Sequence, residues 1–155
     1  MKHVLKLLSF VPMLAVMYMI WSFSAQGGED SASISLKVGL RIVRIADRLF
    51  SGGFSEEQML TYAENMQPFV RKGAHAAEYF LLALTTTLPV YVYGFGGILP
   101  FLVAGIVCVA FAGIDEWHQT FVAGRSGALR DVAIDGAGAL CGILISGLFR
   151  FRRES

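Results

Sequence analysis

The sequence predicts an all-α integral membrane protein: a four-helix transmembrane bundle with an amphipathic helical loop between spans 1 and 2. Composition, hydropathy and the clustering of apolar residues carry this reading. Hydrophobic residues make up 55% of the chain and charged residues 16%, where soluble domains average about 25% charged. Mean hydropathy is +0.58. The apolar residues gather into runs at about 4–24, 69–93, 98–121 and 132–149, each long enough to cross a hydrocarbon core of roughly 30 Å. The 155 residues suit a single domain over 1–155. A net charge of +1 gives no broad positive field, which argues against nucleic acid as a partner. Cys108 and Cys141 stand in apolar stretches and read as small buried hydrophobes, not as a disulfide or metal framework.

The first run, 4–24, follows a basic start at Lys2 and Lys6, as a cleaved signal peptide would. Its apolar stretch exceeds the usual signal core, and Trp21 and Phe23 sit where an anchoring aromatic belt would. It reads as a retained span. Residues 27–67 are polar and helix-compatible. Ile34, Val38, Ile42, Ile45 and Leu49 recur at helical spacing, and Lys37, Arg41, Arg44 and Arg48 form a second stripe beside them. Such a helix either lies in the interface, apolar side down and basic side at lipid phosphates, or packs over the bundle mouth with solvated arginines. Ser51-Gly52-Gly53 breaks it, and Ser55 with Gln58 resembles a capping box for a short helix ending near Pro68. Gly94-Phe95-Gly96-Gly97 then makes the second and third spans antiparallel neighbours. The fourth carries Gly138 and Gly142 at a spacing that permits close helix approach.

Lys2, Lys6, Arg150, Arg152 and Arg153 hug the termini and favour a cytoplasmic placement for both. The opposite side carries more basic residues, but these look functional rather than topological.

The charges between Phe69 and Phe149 avoid the whole stretch from Tyr79 to Ile114. Intramembrane ionisable groups are costly, so their default reading is functional. Counted from the glycine link, Glu78 and His75 lie 16 and 19 residues up the second span, and Asp115 and His118 lie 18 and 21 up the third. At about 1.5 Å per residue these four share one thin layer. Arg71, His75 and Glu78 fall on one side of their helix, as do Asp115, His118 and Gln119 on theirs. Asp131 and Asp135 form an i, i+4 pair at the entry of the fourth span.

Several chemistries fit this set. A histidine among carboxylates suits general acid–base work; His75 or His118 would act, oriented by Glu78, Asp115 or Glu116. Arg71, Lys72 and Arg125 suit a phosphate or carboxylate, with Gln119 beside them and Asp131 and Asp135 in support. The carboxylate–histidine pairs also resemble helix-bundle metal ligands, but no cysteine joins them and the anionic-headgroup reading is preferred; no metal or cofactor is assigned. A purely structural network, pairing Arg71 with Glu78 or Arg130 with Asp131, is the alternative.

Arg71-Lys72-Gly73-Ala74-His75-Ala76-Ala77-Glu78-Tyr79 resembles the first signature of VanZ-like membrane proteins. The run Asp115-Glu116-Trp117-His118-Gln119-Thr120-Phe121-Val122-Ala123-Gly124-Arg125, followed by Asp131, Asp135 and Gly138, resembles the second. Both motifs in order on successive spans are highly specific. The resemblance implies a small multi-spanning protein of the bacterial cytoplasmic membrane, in a family whose namesake is associated with lowered susceptibility to teicoplanin, a lipid-tailed glycopeptide. It implies no agreed reaction. Three functions follow: an envelope enzyme acting on a phosphate-bearing lipid or lipid-linked cell-wall precursor; a non-enzymatic lipid- or antibiotic-binding protein using the same pocket; and a proton-linked transporter component. The charge-free stretch from Tyr79 to Ile114 weighs against the last.

Overall fold

The computed structural model describes the backbone of residues 2–154 and the side chains of residues 3–148. Within them the chain forms six helices: α1 (Lys2–Leu8), α2 (Val11–Ser24), α3 (Gly28–Phe50), α4 (Glu56–Val92), α5 (Leu99–Gln119) and α6 (Leu129–Glu154). Three stretches are long and apolar enough to cross a membrane: His3–Ser24, Leu99–Gln119 and Leu129–Leu148. The expected span 69–93 falls on the C-terminal half of α4 and is not among these three. The side chains of Arg150, Arg152 and Arg153 lie outside the described residues.

Two elements differ from the sequence expectation. The first run is interrupted between α1 and α2, at Ser9 and Phe10. Pro12 stands in the first turn of α2; it has no N–H to donate and its ring displaces the helical carbonyl four residues earlier. The Ser9 hydroxyl donates to the Lys6 carbonyl at 2.6 Å and closes the break. Conversely, no helix ends near Pro68. The Ser55–Gln58 capping box forms, and α4 then runs through Pro68 and Pro89. An internal proline costs about 3 kcal/mol. Pro68 is exposed, so the carbonyl it frees can be solvated, while packing on both sides of it holds the helix together: α3 covers the N-terminal half, and α5 and α6 the C-terminal half.

The core is narrow and made largely of small residues. Ala83, Cys108, Ala112 and Ala139 pack with Ile20, Tyr79 and Leu82, whereas Leu14, Leu102, Ile106, Leu140 and Leu144 face outward. Small residues inside and large aliphatics outside is the pattern of helices that meet in lipid. Gly138 and Gly142 of α6 lie directly on the backbone of α4; a Cβ at either would overlap the carbonyl of Ala76 or Phe80. Cys141 is exposed, contrary to the reading of both cysteines as buried; only Cys108 is in the core.

The loop helix α3 packs by an unexpected face. Ser31, Ser35, Gly39 and Val43 are buried, with Val43 against Met59 and Ala63 of α4. The apolar stripe of Ile34, Val38, Ile42, Ile45 and Leu49 remains exposed. Of the two placements left open by the sequence, the helix takes elements of both: it is docked on the bundle, with an apolar stripe free to meet lipid.

Candidate functional site

The polar groups converge on a cavity of about 90 Å³ where four segments meet. Helix α4 contributes Arg71, Lys72 and His75, and the last turn of α5 contributes Gln119. The 120–128 loop adds Gly124, Arg125 and Ser126, and α6 adds Asp131, Ile134 and Asp135. The loop is fixed at three points. The Gly28 N–H donates to the Ala123 carbonyl at 2.9 Å. Arg125 Nη2 donates to the Phe23 carbonyl at 3.1 Å. The Ala128 N–H donates to Glu116 Oε2 at 2.8 Å. Together these carry the end of α2 and the start of α3 into the site.

A second, larger cavity of about 430 Å³ opens beside the first. It is an apolar groove between α3 and α4, walled by Phe23, Ile34, Val38, Ile42, Phe69 and Val70. Arg71, His75 and Arg125 line both cavities. They stand at the junction of a polar chamber and an apolar groove.

The ion pairing differs from the structural network foreseen. Lys72 Nζ pairs with Asp131 Oδ1 at 2.9 Å across α4 and α6, and His75 Nδ1 lies 3.6 Å from Glu78 Oε2. Neither Arg71–Glu78 nor Arg130–Asp131 forms: helix geometry lets Lys72 reach α6 while Arg71 turns to the cavity mouth. Among the described residues Arg71 has no ion-pair partner, and the Arg125 guanidinium donates only to the Phe23 carbonyl, its Nε being buried without an acceptor. Burial first, then the neighbouring Arg71 guanidinium, pull Arg125 below the ordinary arginine pKa. Two neighbouring, incompletely paired guanidiniums are a site in want of an anion.

The acids divide by surroundings. Asp115, 1% exposed, accepts from Gln119 Nε2 at 3.1 Å and so orients a chamber residue from behind. Glu116 is turned to the loop, which its bond to Ala128 anchors. Glu78 opens on the groove. Asp135 lines the chamber, and no group among the described residues donates to either of its carboxylate oxygens. His118 lines neither cavity; its ring lies on that of Trp21, with centroids 4.1 Å apart. Sequence reasoning did not assign Gly124, Ser126, Ile134 or Phe23 to the site. The Gly124-Arg125-Ser126 loop carried a signal for the first two, but no local pattern could have placed Phe23 against Arg125.

Among the described residues no group of three or more histidines, cysteines and acids is arranged to hold a metal ion. What the arrangement can do is bind an anion at its mouth, bind a hydrogen-bond donor at its base, and admit an apolar chain alongside.

Fold and site together define a helical membrane protein with a buried polar chamber open to an apolar groove. The chain belongs to the VanZ/LLP1 family, whose pattern matches residues 9–150. No curated protein matches the chain, and no solved structure does.

Proposed function

We propose that this protein binds a phosphate-bearing lipid or lipid-linked cell-wall precursor in the bacterial cytoplasmic membrane, with both termini in the cytoplasm. The phosphate sits between Arg71 and Arg125, the rest of the headgroup enters the chamber, and the hydrocarbon chain lies in the α3–α4 groove. The observation that carries the reading is that Arg71, His75 and Arg125 line the chamber and the groove at once. A lipid phosphate has this same division, with a charged head and an apolar chain meeting at the phosphate. Arginine suits the head because its planar fork matches phosphate oxygens.

A second reading, reaction at the headgroup, is favoured by His75 standing 3.6 Å from Glu78 at the junction. That pair could move a proton at a phosphate ester oxygen. By occupying or altering an envelope lipid, the protein would change the response to teicoplanin, whose tail inserts in the same membrane.

The binding claim is tested with the protein in nanodiscs, titrated with lysophosphatidic acid and with the uncharged monoacylglycerol of the same chain. The phosphate lipid should bind at least tenfold tighter, since a charge-assisted hydrogen bond is worth about 1.5–3 kcal/mol, and Arg71→Ala should abolish the difference. Equal affinity for both lipids would sink the proposal. Loss of the bound phosphate lipid over time would show the reaction.

A further inference from the structure

A buried acid in the chamber points beyond an anion. Three bases, Arg71, Lys72 and Arg125, and two acids, Asp131 and Asp135, line the chamber, with Asp115 behind Gln119. A purely anionic headgroup would answer the guanidiniums and leave Asp135 without a donor. Asp135 is 0% exposed, lines the chamber, and has both carboxylate oxygens without a donor among the described residues. Nearby Asp115, 1% exposed, satisfies one oxygen through Gln119 and leaves Oδ1 unpartnered. A buried carboxylate is stable when something donates to it, and Lys72, the one lysine on the chamber wall, is already committed to Asp131.

We infer that the ligand's headgroup is zwitterionic: a phosphate held at Arg71 and Arg125, joined by a short arm to a primary ammonium that donates to Asp135 in the floor of the chamber. The inference rests on the lipid-phosphate reading above and names its substrate class, an aminophospholipid or amine-bearing lipid phosphate. A cavity of about 90 Å³ has room for several waters or a small headgroup arm, and not for a large sugar. An ammonium brings three donors and one positive charge; it would satisfy the Asp135 oxygens that have no donor among the described residues.

The test uses four lysolipids with one common chain, titrated against the full-length protein in nanodiscs. They carry phosphoethanolamine, N-methyl-phosphoethanolamine, N-acetyl-phosphoethanolamine and phosphoglycerol headgroups. The first two keep the ammonium, the second with added bulk; the last two keep the phosphate without the positive charge. The wild type should bind the two ammonium lipids about tenfold or more tighter than the other two. In Asp135→Asn, which preserves shape and removes the charge, that preference should collapse toward equality while phosphoglycerol binding persists. If the wild type binds all four alike, the ammonium is not read and this inference falls while the lipid-phosphate proposal stands. If it binds none of them, both fall. The wild-type comparison decides the matter even where Asp135→Asn fails to fold.

Discussion

Glu116 separates a structural acid from a chemical one, and its substitution has a magnitude that the geometry sets. The side chain is 6% exposed and its Oε2 accepts from the Ala128 N–H at 2.8 Å, one residue before α6 begins. A hydrogen bond to a charged acceptor contributes about 1.5–3 kcal/mol, against about 0.5–1.5 kcal/mol for a neutral one. Glu116→Ala removes the acceptor and leaves the Ala128 amide without one. Because about 1.4 kcal/mol is a tenfold change in an opening equilibrium, exchange of that amide should accelerate by roughly ten- to a hundredfold. Glu116→Gln keeps an oxygen in place and should accelerate it by no more than about tenfold. Hydrogen exchange read by mass spectrometry over residues 126–131 in nanodiscs measures both. Arg125 sits on the loop that this bond anchors, so lipid-phosphate affinity should fall in Glu116→Ala and largely survive in Glu116→Gln. Unchanged exchange in Glu116→Ala would refute the reasoning. So would an intact loop with lipid binding lost in Glu116→Gln, which would return Glu116 to the chemistry.

Gly138→Val should destabilise the bundle by about 1–3 kcal/mol through overpacking on α4, lowering the thermal midpoint in detergent. Gly136→Val, at a position where an added Cβ meets nothing within 4 Å, should shift it far less; equal losses would contradict the α4–α6 contact. Lys72→Ala removes a pair in which both side chains are about one-third exposed, so its cost to stability should stay within about 1 kcal/mol by the same melt. Trp21→Ala strips the ring that covers His118 but touches neither cavity, so lysolipid affinity should hold within about threefold, below the effect of losing one charged hydrogen bond. A larger loss would place His118 in the binding site.

The helical class was legible because apolar runs and glycine breaks are local signals. The break at Ser9–Phe10 was missed, because the apolar run 4–24 is continuous in hydropathy and Pro12 alone marks it. Pro68 misled because proline's local cost is set against packing, and packing is not local: α3, α5 and α6 hold α4 straight through a residue that would end a lone helix. The sequence left the placement of α3 open between the interface and the bundle mouth, and it did not identify the face that is buried. Small residues allow closer helix approach, and Ser35 and Gly39 take the contact with α4 while the stripe from Ile34 to Leu49 stays exposed. At the site, residue types and helical spacing identified Arg71, His75, Gln119, Arg125, Asp131 and Asp135 as a group, and all six line the chamber. Their division of labour was not legible. Whether Glu116 faces the cavity or Ala128 depends on the path of the loop, and the Arg125–Phe23 contact joins residues 102 apart in the chain.

The central claim is that one lipid occupies both cavities, head in the chamber and chain in the groove. It is tested most directly by photo-crosslinking the protein in nanodiscs with a lysophosphatidic acid that carries a diazirine near the middle of its chain. Label should appear on Val38, Ile42, Phe69 or Val70, and should disappear from them in Arg71→Ala, which frees the head. Label spread evenly over the outward faces of α2, α5 and α6, and unchanged by Arg71→Ala, would contradict the account.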